Sequence, residues 1–131
     1  MCVFCEIASG MRKAEVVYED AVCMAFLDSD PIAEGHLLLI PKEHFIDADD
    51  MPEKTFVHLM RISRRLIRAV KGAYQSDGYS IMQNGGAFND VGHYHLHIFP
   101  RNKSDGFGWK GSDKKYEVSA EVVRKMKEHI L

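Results

Sequence analysis

The sequence predicts an α+β domain in which an antiparallel sheet of about five strands carries one long helix and a C-terminal helix. Short runs rich in β-branched and aromatic residues, separated by turn residues, predict the strands. From Phe56 to Tyr74, apolar residues recur at helical spacing, which predicts the long helix. The chain has 131 residues and is 46% hydrophobic, so we expect a single domain, residues 1–131, with its own core.

The first strands are predicted in the N-terminal third. Glu15–Glu19 and Val22–Leu27 indicate a hairpin with a tight turn at Asp20-Ala21. A third strand, of continuous apolar character, is expected at His36–Pro41. Glu6–Gly10 favours a short helix or turn before this sheet.

The long helix is expected to begin at Asp49-Asp50-Met51-Pro52, with a capping aspartate and a proline in its first turn. Gly72 or the turn Ser76–Gly78 would end it. Its basic residues lie mostly off the apolar stripe, and we interpret them as a solvated face rather than a binding patch. They are Arg61, Arg64, Arg65, Arg68 and Lys71.

The remaining elements follow in the second half of the chain. Tyr79–Gln83 predicts a fourth strand, followed by a turn at Asn84-Gly85-Gly86. Residues 102–112 are irregular and would either cover the site or reach a partner subunit. Ser119 is expected to cap a final helix that docks on the sheet. The apolar face of that helix comprises Val122, Val123, Met126 and Ile130.

The composition argues against several functional classes. Lys and Arg number 17 and Asp and Glu number 19, a net charge of −2, so we expect no general affinity for nucleic acid or for a membrane surface. No apolar run approaches the roughly 18 residues of a membrane span. The N-terminus lacks a secretory signal pattern, and three cysteines do not suggest a disulfide framework. We therefore expect a cytoplasmic protein.

The most informative stretch is His93-Tyr94-His95-Leu96-His97. Side chains of a strand alternate between faces, so the three imidazoles would line one face about 6–7 Å apart, with Pro100 ending the strand. Three interpretations compete: an exposed polar face, a metal site built from histidines, and a nucleophilic and acid–base cluster acting on a phosphorus centre.

A second candidate motif opens the chain, where Cys2 and Cys5 form Cys-x-x-Cys. This pattern fits half of a zinc site, a redox pair or chance. A closed tetrahedral zinc site needs two further ligands. Because no helix-forming stretch directly follows the motif, a thioredoxin-like redox pair is less favoured.

Two motifs together resemble the histidine triad (HIT) family over nearly the whole chain. The first is His-x-His-x-His followed by two apolar residues, Ile98 and Phe99. The second combines Ala25-Phe26-Leu27-Asp28, Pro31, Gly35-His36 and Ile40-Pro41-Lys42-x-His44. The resemblance implies a HIT-like fold, a homodimer with the long helix near its two-fold axis, and a nucleotide substrate.

The resemblance also implies a mechanism. His95 would attack the α-phosphorus of a nucleotide conjugate, and water would then release the nucleoside monophosphate from a covalent nucleotidyl-histidine. The implied catalytic residues are His95, His97, His36 and His93. His36, His97 and Asn89 would donate to phosphate oxygens, and the backbone at His93 would orient the His95 ring.

Further site residues follow from the resemblance alone. Asp28 would accept hydrogen bonds from the ribose hydroxyls, a task suited to a carboxylate. The other implied nucleotide-binding positions are Asn84, Asn89, His97 and the apolar residues Phe4, Ile7, Val16 and Val17. A structural zinc ion would be held by Cys2, Cys5, His44 and His93. No organic cofactor and no magnesium requirement are expected.

The chain departs from the family pattern just before the triad. Most members have Gly-Gln-Ser/Thr there, whereas this chain has Phe88-Asn89-Asp90-Val91-Gly92. Asn89 is a shorter amide, and Asp90 brings a negative charge near an anionic substrate. The leading prediction is a hydrolase, or nucleotidyl transferase, that cleaves phosphorus–nitrogen bonds of nucleoside phosphoramidates or related conjugates. A hydrolase of dinucleoside polyphosphate anhydrides and a non-catalytic nucleotide-binding or scaffold module are the alternatives.

Overall fold

The computed structural model describes residues 2–130 and confirms the α+β architecture. Its elements in chain order are α1 (Val3–Ala8), β1 (Val16–Glu19), β2 (Cys23–Leu27), β3 (Leu37–Pro41), α2 (Glu53–Tyr74), β4 (Gly78–Met82), a 3₁₀ turn (Gly86–Phe88), β5 (Leu96–Arg101) and α3 (Ala120–Lys127). The five strands form one sheet in the order β1-β2-β3-β5-β4, and every neighbouring pair is antiparallel. The strand that follows the first two histidines of the triad therefore lies inside the sheet.

The two faces of the sheet pack against different helices. Alternate residues of the central strands, such as Leu39 and Ile98, pack with α2, which buries Leu59 and Leu66 among others. The intervening residues, such as Leu38, pack on the opposite face in a smaller cluster. Phe4 and Ile7 of α1 and Met24, Phe26 and Ile40 of the sheet complete that cluster. Each fully buried aliphatic or aromatic side chain stabilises the fold by roughly 1.5–3 kcal/mol, so α1 is anchored mainly by two residues.

The triad strand differs from the prediction. β5 begins at Leu96, so His93 and His95 precede it, and only His97 lies within it. Pro100 does not end the strand, because it pairs with Tyr79 of β4. It lies beyond Ile98, the last residue of β5 that pairs with β3. Proline has no backbone N–H to donate, and it is tolerated in a strand where that side of the strand is unpaired.

Both ends of α2 were only partly predicted. The Asp50 carboxylate does not cap the helix but accepts a hydrogen bond from the Ile46 N–H at 3.2 Å, and Pro52 precedes the first helical residue without a side-chain cap. The helix runs through Gly72 and ends at Tyr74. Gln75 then adopts a left-handed conformation with φ of 46°.

The N-terminal helix begins earlier than the sequence indicated. It spans Val3–Ala8 rather than starting at Glu6, so Cys5 lies in its first turn. The backbone N–H of Glu6 donates to the Cys2 carbonyl at 3.0 Å. The helix thereby keeps the two cysteines on neighbouring positions of one turn.

The C-terminal helix was predicted correctly but its docking was not. Ser119 caps α3 by accepting a hydrogen bond from the Val122 N–H at 3.3 Å. No residue of α3 is buried, and Val122, Val123, Met126 and Ile130 are all exposed. Amphipathic spacing predicts an apolar face but does not specify what covers it. Within residues 2–130, no helix combines the length and apolar character that a bilayer crossing requires.

Gly35 is the glycine whose replacement we expect to cost most. It has φ of +84°, and a Cβ there would lie 2.3 Å from the Tyr74 ring, whereas Gly10 has φ of +81° with open space around it. We predict that Gly10→Ala destabilises by about 1–2 kcal/mol, the left-handed backbone cost. Gly35→Ala adds overpacking of about 1–3 kcal/mol. Chemical denaturation of both variants measures the difference, and equal losses would contradict the close packing of Tyr74 on Gly35.

Candidate active site

His93 lies at the centre of the histidine cluster and is fully buried. Its Nε2–H donates to the carbonyl of Pro41, the last residue of β3, at 2.8 Å. That bond leaves Nδ1 unprotonated in the neutral ring, and Nδ1 faces Cys2 and Cys5. Burial lowers the pKa of His93, so the ring is neutral at neutral pH.

His95 is held in the opposite tautomer. Its Nδ1–H donates to the backbone carbonyl of His93 at 2.8 Å, which leaves the Nε2 lone pair free. The nearest acidic oxygen to Nε2 is that of Asp90, 3.7 Å away. Phe4 of α1 packs edge-on against both His93 and His95, with ring centroids 5.9 and 5.2 Å apart. The ring is therefore oriented by backbone and by packing, with one nitrogen available for bond formation.

His36 and His97 form a chain of donors that begins in the backbone. The Ile32 N–H donates to His36 Nδ1 at 3.0 Å, so the neutral His36 ring carries its proton on Nε2. His36 Nε2 lies 2.9 Å from His97 Nδ1 and donates to it. His97 then carries its own proton on Nε2. Burial lowers the pKa of His36, and burial followed by the neighbouring His95 and His36 lowers the pKa of His97 to about 4.

A cavity of about 850 Å³ opens beside these rings. His95 and His97 line it together with Asp28, whose carboxylate lies 3.5 Å from His36 Nε2 and 3.8 Å from His97 Nδ1. The other Asp28 oxygen accepts a hydrogen bond from the Asp30 N–H at 2.9 Å. Apolar side chains form the rest of one wall, namely Val3, Phe4, Ile7, Phe26, Leu27 and Leu38. The cavity thus combines an apolar wall with polar groups that converge at one end, as small-molecule sites do.

A second cluster lies behind the triad. Cys2, Cys5, His44 and His93 have ligand atoms that all lie within 4.8 Å of one another. Three of the sulfur–nitrogen distances, Cys2 to His93, Cys5 to His44 and Cys5 to His93, are 3.4, 3.2 and 3.5 Å. Four tetrahedral zinc ligands lie about 3.3–3.8 Å apart at standard bond lengths. The His93 bond to a carbonyl is also the outer contact that metal-bound histidines usually make. These four residues therefore fit a tetrahedral metal ion.

In the absence of a metal, burial and the neighbouring Cys2 thiol raise the pKa of Cys5. Thiolates are the species that bind zinc, so metal binding would release protons.

The geometry agrees with what comparison with known proteins finds. A family model described as HIT domain matches residues 9–104. The chain belongs to the HIT family. The motifs that resembled this family in the sequence are therefore family motifs.

Relatives and solved structures of the HIT family match most of the chain. The chain is 35% identical to a Saccharomyces cerevisiae protein named adenosine 5'-monophosphoramidase, over 95% of this chain and 80% of the relative. A crystal structure of a HIT family member from Bacillus subtilis superposes with a TM-score of 0.87 at 31% identity, covering 99% of this chain and 97% of that one. A zinc-bound histidine triad family protein from Mycobacterium smegmatis has a TM-score of 0.77 at 37% identity, covering 86% and 84%.

The structure brings some of the expected site residues of the HIT domain to the cavity and not others. Phe4, Ile7, Asp28, His95 and His97 line it. His36 reaches the site through its contact with His97, and His93 through its carbonyl.

Val16 and Val17 do not line this cavity. The pairing of β1 with β2 passes from Val16↔Phe26 to Tyr18↔Ala25, so Val17 is an extra residue at a bulge. Both valines are about half exposed. A bulge locally interrupts the alternation of side chains between the two faces of a sheet.

Asn84 and Asn89 also lie outside the cavity lining. Asn84 lines a separate cavity of about 520 Å³ beside Trp109. The Asn89 amide donates to the Ile46 carbonyl at 2.8 Å, and its oxygen accepts from the Val91 and Gly92 N–H groups at 3.3 and 3.0 Å. Asn89 thus clamps its own loop, which differs from the role of a free phosphate donor.

Sequence reasoning missed Arg12 and Lys13, which line the cavity. Arg12 is paired with Glu6 at 2.7 Å. The available signal was a pair of basic residues directly after the Gly10 turn, in a segment that joins α1 to β1. Basic groups at the mouth of a cavity favour anionic ligands.

The neutral histidines predict a pH dependence of stability. Folding lowers the pKa of His97 from 6.5 to about 4. Between these two pH values the histidine binds a proton mainly in the unfolded state. The stability that a neutral His97 contributes above pH 6.5 is therefore lost as the pH falls toward 4. We expect roughly 2 kcal/mol to be lost between pH 6.5 and 4.5 through His97. In denaturation at several pH values, His97→Gln should lose less stability than the wild type over this window. An identical slope in both would contradict a buried, neutral His97.

Proposed function

We propose that this HIT domain hydrolyses nucleotide conjugates at the α-phosphorus through a covalent nucleotidyl-histidine at His95. The observation that carries the proposal is the free Nε2 of His95 in a cavity, with Nδ1–H committed to the His93 carbonyl at 2.8 Å. A neutral imidazole with a free lone pair is a competent nucleophile. The fixed ring avoids the entropy cost of orienting it.

The proposed reaction has two displacements. In the first, the Nε2 lone pair forms a bond to phosphorus, and the bond from phosphorus to the leaving group breaks with its electron pair going to that group. In the second, a water oxygen attacks phosphorus, the electron pair of the P–N bond returns to Nε2, and a proton passes to solvent. His97 Nε2–H is the proposed donor to the phosphate oxygens, and preorganised donors of this kind lower the barrier.

The substrate class that we favour is the nucleoside 5'-phosphoramidates. The yeast relative named adenosine 5'-monophosphoramidase supports this choice. Asp28, which retains unsatisfied acceptor capacity at the cavity, suits the two hydroxyls of a ribose. The apolar wall near Phe4 suits a nucleobase. Nucleotide binding by Val17, Asn84 and Asn89 stays a prediction from the family resemblance.

The direct test is nucleoside monophosphate release from adenosine 5'-phosphoramidate. We predict that His95→Asn lowers kcat at least about a thousandfold, because the covalent route is lost. Binding of the nucleoside monophosphate should change little, since the asparagine leaves the cavity wall in place. His129→Asn, the same substitution at an exposed histidine of the C-terminal segment, should leave kcat unchanged.

Three other outcomes would change the proposal. Turnover of a diadenosine polyphosphate in place of the phosphoramidate would move the substrate to the anhydride class. Retained turnover in His95→Asn would remove His95 as the nucleophile. Monophosphate binding by a folded wild type that turns over neither compound would indicate a binding module.

We further propose that Cys2, Cys5, His44 and His93 hold a structural zinc ion. The fit of the four ligand atoms and the zinc-bound family member from Mycobacterium smegmatis support this assignment. The ion would tie the α1 segment to the loop after β3. Because the His93 carbonyl also orients the His95 ring, the metal would affect catalysis only indirectly, by holding His93 in position.

Zinc removal is expected to destabilise the protein. Cys5→Ser should lower bound zinc below one ion per chain and lower Tm, and a chelator should lower Tm of the wild type but not of the variant. Cys23→Ala is the cysteine control, because the Cys23 side chain is buried in the main core and does not belong to the cluster of four ligands. It should lose stability while keeping its zinc. Metal analysis of purified protein would contradict the proposal if Cys5→Ser retained full zinc.

We also propose a cytoplasmic homodimer, as the family resemblance implies. Exposed apolar side chains that a partner subunit could cover support it, notably Tyr79 and Ile81 on the edge strand β4, Trp109 and Met126. The net charge of −2 supports the absence of nucleic acid and membrane partners.

A further inference from the structure

The carboxylate nearest the free His95 nitrogen belongs to Asp90. Its Oδ1 lies 3.7 Å from His95 Nε2, and its side chain is 86% exposed at the cavity that His95 lines. Within residues 2–130 the Asp90 carboxylate accepts no hydrogen bond at usual distance. The Asp90 carboxylate therefore places a negative charge beside the reacting atom. The basic residues that line the same cavity are Arg12, which is paired with Glu6, and Lys13.

The backbone around Asp90 is held in place although its side chain is free. Asn89 binds the Ile46 carbonyl and the N–H groups of Val91 and Gly92. Upstream in the same loop, the Gly86 N–H donates to the Asp47 carboxylate at 3.0 Å. The loop therefore fixes the backbone position from which the Asp90 carboxylate reaches His95.

We propose that Asp90 is the residue that selects the leaving group by charge, favouring cationic and neutral amines over anionic groups. This inference rests on the proposed function. The attacking nitrogen and the leaving atom lie on opposite sides of one phosphorus atom, so only that atom separates them. A group departing from the α-phosphate therefore stays within several ångströms of the carboxylate that lies 3.7 Å from Nε2. At such distances the interaction of two exposed charges still changes a rate constant by about a few fold in water, and by more in a partly enclosed cavity.

The charge matters in the first displacement. As Nε2 bonds to phosphorus, the P–N bond to the amine breaks, its electron pair remains on the departing nitrogen, and that nitrogen takes one proton from solvent at the cavity mouth. A leaving group with a remote ammonium is attracted to Asp90 throughout this step. A phosphate, a polyphosphate or a carboxylate-bearing amine is repelled.

Three adenosine 5'-phosphoramidates with the same scissile bond test the proposal. Their amines are ethylenediamine, which is cationic at its far end, its neutral N-acetyl derivative, and β-alanine, which is anionic. We expect the wild-type kcat/KM to fall in that order. Asp90→Asn should lower the cationic-to-anionic ratio by about tenfold, the combined effect of one lost attraction and one lost repulsion. Comparison of each compound in both proteins cancels its intrinsic reactivity.

Two controls separate charge from structure. Asp90→Glu keeps the charge and should keep the order, whereas Glu34→Gln makes the same change in net charge at an exposed residue outside the cavity lining and should also keep it. Raising the ionic strength should compress the wild-type ratio more than that of Asp90→Asn, in which only the other charges of the cavity remain.

The outcomes are distinct. An unchanged ratio in Asp90→Asn, or the same loss in Glu34→Gln, would overturn the assignment of Asp90 while leaving the hydrolase intact. Failure of a folded wild type to cleave any of the three compounds would instead overturn the proposed function, and this inference with it.

Discussion

The buried His93 is the residue on which the rest of the site depends. Its ring donates to the last carbonyl of β3 at 2.8 Å, its backbone carbonyl accepts the His95 Nδ1–H at 2.8 Å, and its Nδ1 faces the cysteine pair. One residue therefore joins the sheet, the cluster of metal-compatible ligands and the His95 ring. Its full burial makes these bonds obligatory, because a buried imidazole nitrogen without a partner would cost about 1–3 kcal/mol.

The second feature of the site is that its donors are neutral. Desolvation lowers the pKa of His36 and His97, and the Ile32–His36–His97 chain assigns every proton from the backbone outward. A neutral donor polarises a phosphate oxygen without holding the product as tightly as a cation would. Under the proposed function, the charged groups at the cavity, Asp90 among them, would discriminate between ligands, while the buried histidines would orient the reacting groups.

The regular elements and the family could be predicted from the sequence, and several contacts could not. Apolar runs and helical spacing were sufficient to locate the five strands and α2, because burial on a sheet or helix face leaves such a pattern, but they did not give the start of β5 or of α2. Val17 was expected at the nucleotide, and the bulge that places it outside the cavity lining could not be predicted because it depends on the pairing of β1 with β2. The hydrogen bond from the Asn89 amide to the Ile46 carbonyl could not be predicted either, because the two residues are distant in sequence. The cover of α3 depends on contacts that spacing does not encode.

The proposed attachment of the nucleotide to His95 through Nε2 can be tested at a single atom. The measurement is rapid quenching of a single turnover with a nucleoside phosphoramidate, followed by peptide mass spectrometry and phosphorus NMR of the trapped adduct. We predict a nucleotidyl group on Nε2 of His95 that forms and decays at the rate of monophosphate release. Attachment at Nδ1 or at another residue, or turnover without any adduct, would contradict the fixed tautomer from which the mechanism is derived.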